Sequence, residues 1–216
     1  GVACFDDDFR NAIKGAEFGG FKHGHVQGTF ADSAVIKGLL GSKHDVDVIG
    51  RFINYVECHD NYTLFDKLAI SRSYPTPPKA PVDLFGKIGA EGLKDVKKQD
   101  MLAAAYVFLA QGTPFINGGQ EFLRTKQGDE NSYNKPDTIN AVDLGFKTRY
   151  PDVYKMYKGL IALRKANHDA FGANTSATAE KIENGLTKYV TKDFLIYFNA
   201  TSDAKNIDTT GYTKLI

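Results

Sequence analysis

Residues 52–61, Phe52-Ile53-Asn54-Tyr55-Val56-Glu57-Cys58-His59-Asp60-Asn61, pass abruptly from apolar to polar. The apolar and β-branched side chains up to Val56 favour a buried strand. Glu57, His59, Asp60 and Asn61 then arrive where that strand should end. A packed core takes such a cluster only when each group has a partner. The C-terminal ends of parallel strands are where α/β barrels and open α/β sheets carry their chemistry. The stretch is therefore expected at the active end of a parallel strand.

The surrounding pattern alternates strand and helix. Residues 2–5 read as a short buried strand. Asp6, Asp7 and Asp8 follow, and three consecutive carboxylates repel, so they are expected to be shared between solvent and a cationic neighbour rather than to hold a metal. Residues 15–28 are glycine-rich and read as a loop with exposed His23 and His25. A closed zinc site wants four ligands, and no cysteine lies near these two histidines. Asp32 and Ser33 can cap a helix over 34–40 that stops at Gly41. Residues 51–56 form the central strand. Leu64, Phe65, Leu68 and Ala69 have helical spacing, and Pro75, Pro77, Pro78 and Pro81 mark an exposed connection. Residues 97–111 form a helix that is apolar on nearly every face between 101 and 110, hence buried. Gly112 and Pro114 end it, and a short strand over 115–117 closes in a second polar cluster, Asn117-Gly118-Gly119-Gln120-Glu121. The Lys-Ser/Thr pair of a phosphate loop is absent there.

Residues 124–144 make a long polar loop. Tyr133 offers a ring for the apolar face of a sugar, and Asp129 and Asn131 match hydroxyls; an ordinary solvated loop fits the same residues. Pro151 opens the next helix, with Val153, Met156, Tyr157, Leu160 and Ile161 as its apolar stripe. Beyond Gly172 the character becomes β, with two strands around a tight Lys192-Asp193 turn. The order implies a parallel sheet with right-handed crossovers, followed by a short all-β segment. Three β/α units cannot close an eight-stranded barrel, so the sheet is either small and open or part of a barrel. In the latter case its open edge invites a homo-oligomer or a swapped dimer.

Composition excludes several classes. Of 216 residues, 42% are hydrophobic and 25% charged, the range of an ordinary globular chain, and the formal charge of +1 with scattered Lys and Arg argues against nucleic-acid binding. No apolar run is long enough to span a bilayer, and no leader is visible. The chain opens without Met, inside an expected strand, which points to a piece of a longer protein. Cys4 and Cys58 read as small buried hydrophobes, with a disulfide between neighbouring strands the less favoured alternative.

Several of these motifs carry a resemblance. Residues 54–61 resemble the fourth signature region of glycoside hydrolase family 13, the α-amylase superfamily, and Gln111-Gly112-Thr113-Pro114-Phe115-Ile116-Asn117-Gly118-Gly119-Gln120-Glu121 resembles its eighth-strand region. Phe122-Leu123-Arg124-Thr125-Lys126 with Gly128-Asp129-Glu130-Asn131-Ser132-Tyr133-Asn134, and residues 5–15, are similar to type I pullulanases. Cys58 stands where the family has Ser. The resemblance implies α/β architecture, a partial (β/α)8 TIM barrel comprising strands six to eight with their helices. Residues 1–171 would belong to the catalytic domain and 172–216 would begin a C-terminal β-sandwich domain.

The resemblance also implies roles. Asp60 matches the third carboxylate, which stabilises the oxocarbenium-like transition state. His59 matches the sugar-binding histidine, and Asn61, Asp129, Asn131 and Tyr133 are expected to contact substrate. The nucleophile Asp and acid Glu lie on strands four and five, which would precede Gly1, so the chain alone is expected to be inactive. Its partners would be an α-glucan and the missing N-terminal part of the same enzyme, with no nucleic acid or membrane. No cofactor or metal is implied; calcium in a longer parent stays open, as does location outside or inside a bacterial cell. An α-1,4-acting amylase or neopullulanase, or a carbohydrate-binding module without catalysis, are the alternatives. Cys58-His59-Asp60 does not suggest a triad, because neighbours in an extended chain point to opposite faces.

Overall fold

The computed structural model describes residues 2–17, 21–41, 51–172 and 176–215. The 18–20 part of the glycine-rich loop, and residues 173–175 and 216 of the C-terminal segment, lie outside the described residues. In chain order the elements are β1 (Cys4–Phe5), α1 (Asp7–Lys14), a 3-10 turn at His25–Gln27, α2 (Asp32–Leu39), β2 (Phe52–Asn54), α3 (Leu64–Ser73) and α4 (Leu84–Leu109). Then come β3 (Thr113–Pro114), a 3-10 turn at Gln120–Phe122, α5 (Asp137–Asn140), α6 (Phe146–Arg149), α7 (Pro151–Ala166), α8 (His168–Phe171), β4 (Thr178–Glu183), β5 (Leu186–Thr191) and β6 (Phe194–Asn199). β1, β2 and β3 form a parallel sheet in sequence order, with Cys4 opposite Phe52 and Ile53 opposite Thr113. β4, β5 and β6 form a separate antiparallel sheet.

Local chemistry sets where the helices start. Asp6 caps α1 by accepting from the Phe9 N–H at 3.0 Å, Thr63 caps α3 through the Asp66 N–H at 3.0 Å, and Asp83 caps α4 through the Gly86 N–H at 3.0 Å. Pro151 sits in the first turn of α7, where its missing N–H costs nothing. α4 begins thirteen residues before the expected helix (84 against 97), because two helices join end to end at Gly89, whose φ of 64° only glycine adopts freely. The expected cap at Asp32 is different too: Ala31 precedes the helix, and Asp32 Oδ1 accepts from the Gly185 N–H at 3.0 Å instead.

Other expectations need correction. β1 is exposed rather than buried, with Phe5 at 41%, because it is an edge strand with β2 on one side only. Cys4 is accordingly exposed, Cys58 is half-buried, and both are free thiols. β3 lies at 113–114 rather than 115–117, although the Phe115 N–H still donates to the Asn54 carbonyl at 2.8 Å. Pro114 is tolerated because β3 is the other edge of the sheet. The β5–β6 hairpin is as expected, with Lys192 at φ 45° in its turn, but β4 is an additional strand. β4 is polar and mostly exposed, so it has no apolar alternation to announce it.

One core joins the helices to both sheets, with Phe9, Val35, Phe65, Tyr106, Phe171, Tyr189 and Phe198 all in it. Its polar tie is Arg164 on α7. This buried guanidinium donates to the carbonyls of Phe108 at 2.6 Å, Ala110 at 2.8 Å, Phe171 at 2.7 Å and Gly112. Gln111 works beside it: its side-chain amide donates to Ala170 O at 2.7 Å, Tyr189 Oη at 2.6 Å and Thr191 Oγ1 at 3.2 Å, while its carbonyl accepts from Asn54 Nδ2 at 2.8 Å. Replacing Arg164 by Met should strand several buried acceptors and cost about 3 kcal/mol or more. The exposed neighbour Lys165→Ala should change stability by less than about 0.5 kcal/mol. Urea unfolding of both variants checks this; equal midpoints would refute the role of Arg164.

Candidate active site

The C-terminal ends of β1, β2 and β3 meet on one side of the parallel sheet. At the end of β1, Asp6 is consumed as a helix cap and is buried, contrary to the solvated cluster expected from sequence. Asp7 behaves as expected, accepting from the Tyr55 hydroxyl at 2.7 Å and lying 3.4 Å from the Arg10 guanidinium. Among the described residues no group of three or more His, Cys, Asp or Glu is placed to hold a metal ion. His25, expected on the surface, is fully buried: its Nδ1 accepts from the Ala31 N–H at 3.1 Å and its Nε2 lies 3.1 Å from the Tyr106 hydroxyl. His23 is exposed as expected.

At the end of β2 the chain passes from buried to exposed in two steps. Glu57 is buried, Cys58 is half-buried, and the His59 and Asp60 side chains are 88% and 71% exposed. His59 Nε2 lies 3.3 Å from Asp60 Oδ1. Asn61 then turns the chain at φ 63°, a left-handed conformation that Asn tolerates better than most side chains. Thr63 starts α3 two residues later. The sequence therefore places His59, Asp60 and Asn61 in a single presented turn. Cys58 takes no part in a triad: its thiol contacts the Asp60 carbonyl at 3.8 Å, and burial pushes its pKa up, away from the reactive thiolate.

Three residues hold this turn: Glu57, already named in the sequence as part of the polar cluster, and Asn117 and Lys126, to which sequence reading gave no part in it. Glu57 accepts from the Leu64 N–H at 2.7 Å and from Asn117 Nδ2 at 2.9 Å, joining the end of β2 to the start of α3 and to the segment after β3. Lys126 Nζ donates to the His59 carbonyl at 2.9 Å. The signal for Glu57 was its place one residue past a buried strand, where a carboxylate needs internal partners; Asn117 stood in the second polar cluster, but nothing local announced that it or Lys126 would reach this turn. The Gln120 and Glu121 end of β3 is structural: Gln120 Nε2 donates to the Tyr157 hydroxyl at 3.0 Å, and Glu121 accepts from the Gly119 N–H at 2.9 Å.

The 124–144 loop comes to the same side through Asp66 of α3. Buried Asp66 accepts from the Thr125 hydroxyl at 2.5 Å, the Lys126 N–H at 2.8 Å and the Gly128 N–H at 3.1 Å. Beyond this anchor Asp129, Asn131 and Tyr133 line an open cleft of about 610 Å³, together with Tyr62, which lies two residues after Asp60. Tyr133 is 84% exposed. Asp129 Oδ1 accepts from the Asn131 N–H at 2.9 Å, and its other oxygen lies 3.8 Å from Lys135 Nζ.

The chain is 36% identical to the pullulanase of Bacillus subtilis over 194 residues, covering 87% of this chain and 25% of that one. Its structure superposes on the pullulanase from Paenibacillus barengoltzii, solved with maltohexaose and α-cyclodextrin, with a TM-score of 0.80 and 29% identity over 98% of this chain and 34% of that one. The chain belongs to the pullulanase type of glycoside hydrolase family 13. The pullulanase from Anoxybacillus sp. LM18-11 matches it with a TM-score of 0.73 and 35% identity, covering 87% of this chain and 26% of that one. Isoamylase from Pseudomonas amyloderamosa is 29% identical over 127 residues. No protein-family model matches the chain. It spans about a quarter of the length of its B. subtilis pullulanase relative.

Burial sets the titration of the two acids beneath the His59–Asp60 turn. Burial raises Glu57 from 4.5 to about 7, against the opposing pull of its two N–H donors, and raises Asp66 from 3.8 to about 6. Both groups hold a proton in the folded chain that the unfolded chain has released. Their stabilising contribution is thus full below about pH 4 and is lost as pH rises through 6 to 7. Glu57→Gln removes one of the two groups. The loss of unfolding free energy between pH 5 and pH 8 should then shrink by about 2 kcal/mol relative to the parent. Urea unfolding at the two pH values measures it, and an unchanged difference would mean that Glu57 does not titrate there.

Proposed function

We propose that the chain is the C-terminal portion of a retaining hydrolase that cleaves α-1,6 branch linkages in pullulan-like or starch-derived glucans, with Asp60 as its transition-state-stabilising carboxylate. The observation that carries this reading is the His59–Asp60 pair, 3.3 Å apart and presented beyond a parallel strand, in a chain that resembles pullulanases along most of its length. In this reading β1, β2 and β3 are strands six, seven and eight of a (β/α)8 barrel. Residues 1–171 belong to its catalytic domain, and β4–β6 begin a C-terminal β domain over 172–216.

A retaining glycosidase needs a nucleophile and an acid/base carboxyl about 5–5.5 Å apart across the scissile bond. Asp60 is the third acid in this scheme. It accepts hydrogen bonds from sugar hydroxyls, and its negative charge favours the positive charge that develops on the ring. His59 donates to a sugar oxygen beside it. Asn61 orients the turn, and Asp129, Asn131 and Tyr133 hold a neighbouring glucosyl unit, the phenol ring against its apolar face. The other acids at these strand ends are engaged: Asp6 and Glu121 with backbone N–H groups, Glu57 with Leu64 and Asn117. The chain is therefore expected to bind oligosaccharide without cleaving it, and a partner segment supplies the other two acids. The complexes of pullulanase relatives with maltotriose and maltotetraose support an α-glucan as the ligand.

Titration calorimetry with maltohexaose should show binding to the 216-residue chain that weakens at least tenfold in Asp60→Ala, and the parent chain should release no reducing sugar from pullulan. Cleavage at an enzyme-like rate would sink the division of acids; binding indifferent to Asp60 would sink its role. The exposed edge at β1, with Val2 88% and Phe5 41% exposed, should drive self-association. Light scattering on the purified chain is expected to give a dimer or larger; a monodisperse monomer would refute this.

A further inference from the structure

The sequence holds two Asn-Gly pairs, Asn117-Gly118 after β3 and Asn184-Gly185 in the turn between β4 and β5. Such a pair is chemically labile, because the glycine nitrogen can attack the asparagine side-chain carbonyl carbon with no Cβ to hinder it. The fold treats the two pairs differently. The Gly185 N–H donates to Asp32 Oδ1 at 3.0 Å, and the Gly185 carbonyl accepts from the Ala200 N–H at 2.7 Å. Gly185, at φ +77°, is also pressed against Phe30, whose Cε1 would stand 2.4 Å from an added Cβ. The attacking nitrogen of that pair is engaged, and its backbone is held on both sides.

Asn117-Gly118 is the opposite case. Gly118 is exposed, and its N–H makes no hydrogen bond among the described residues. Its φ is not left-handed, and an added Cβ would meet nothing within 4 Å. Neither the turn nor the packing therefore requires glycine at 118, in contrast to Gly119 at φ +103°. Asn117 Oδ1 has no hydrogen-bond partner among the described residues, while Nδ2 lies 2.9 Å from Glu57 Oε1. Nδ2 is the atom that must leave, and a general acid has to lie within hydrogen-bond reach of it. Glu57 meets that distance, and with its pKa raised to about 7 it carries a proton in a large share of molecules at neutral pH.

We infer that Asn117-Gly118 is a self-modification site, at which Glu57 assists loss of the Asn117 side-chain amide. The Gly118 nitrogen gives its proton to solvent and bonds to Asn117 Cγ. The Cγ–Nδ2 bond then breaks, and Nδ2 takes a proton from Glu57 and leaves as ammonia. Glu57 regains its proton from solvent. Water opens the remaining succinimide ring at either carbonyl, giving aspartate or isoaspartate, so that one water is consumed for each ammonia released. Both products lack the donor that clasps Glu57. Isoaspartate also reroutes the backbone through the side chain, at the residue whose carbonyl accepts from the Gln120 N–H at 3.1 Å. The clasp between the end of β2 and the segment after β3 is thus opened by the chain's own chemistry. The reaction needs no carbohydrate and stands whether or not Asp60 contacts sugar.

Trypsin places the two asparagines in separate peptides, 99–124 and 182–188. The 216-residue chain is held at neutral pH, folded or in urea, and both peptides are followed by mass spectrometry with an isoaspartate assay. In the folded chain Asn117 should convert at least about fivefold faster than Asn184. In urea the two should convert at similar rates, because each then neighbours a free glycine. Glu57→Gln keeps an acceptor for Asn117 but has no acidic proton to give, and should slow Asn117 at least about threefold in the folded chain alone. Gly118→Ala should melt at the parent temperature and lose the reaction at 117, whereas Asn117→Asp should melt below the parent. Conversion of Asn184 as fast as Asn117 in the folded chain overturns the site. So does an unconverted Asn117 over a period that converts the chain in urea. An unchanged rate in Glu57→Gln overturns the part given to that acid, and an unchanged melting temperature in Asn117→Asp overturns the opening of the clasp.

Discussion

The fold depends on one guanidinium that has no carboxylate partner among the described residues. Arg164 lies in the core, and burial pushes its pKa down to about 10, which still leaves it charged at neutral pH. It is stabilised by the carbonyls it gathers from the end of α4, the turn before β3 and the end of α8. Those carbonyls are the acceptors that helix ends leave unpaired. A chain running from α4 into β3 must break its hydrogen-bond pattern at residues 110–112, and Gly112 at φ 106° makes the turn. Arg164 satisfies that break from across the core. Gln111 does the complementary work, reaching from the same turn to α8 and β5, while its carbonyl holds Asn54 of β2. The parallel sheet, the helical layer and the antiparallel sheet thus share one polar junction.

The presented turn after β2 follows a similar logic on a smaller scale. Two exposed side chains, His59 and Asp60, stand on a base whose polar groups are internal. Glu57 ties that base to α3 and to Asn117, and Lys126 ties it to the 125–128 loop. Asp66 then holds the loop itself by three donors. The site is therefore placed by buried acids that bond to backbone and amide N–H groups rather than by ion pairs. Such groups hold geometry well because their donors are fixed in direction, and they carry high pKa values because burial outweighs the donors.

Much of this organisation is legible in the residues because it rests on local chemistry. The alternation of apolar runs with Asn61, Gly112, Pro114 and Pro151 predicts most of the strands and helices near their observed positions. The polar residues past Val56 predict the turn that presents His59 and Asp60 to solvent. The misses have physical causes as well. α4 is longer than expected because Gly89 lets two helices join. β4 is missed because a polar strand on the surface has no alternating pattern. His25 reads as a loop residue, yet packing against Tyr106 and Phe30 buries it, a contact across 81 residues of chain in the case of Tyr106.

The sequence by itself determined the order of elements, the strand that ends in His59-Asp60-Asn61, the polar loop with Asp129, Asn131 and Tyr133, and the family these motifs resemble. These are matters of residue type and short spacing, which act within a few positions along the chain. Only the tertiary structure decided that Glu57 and Asn117 clasp two strand ends and that Arg164 closes the core. Each of those depends on groups distant in the chain meeting at hydrogen-bond or van der Waals range. Such meetings are set by how the helices pack over the sheet, which no local pattern of residues encodes.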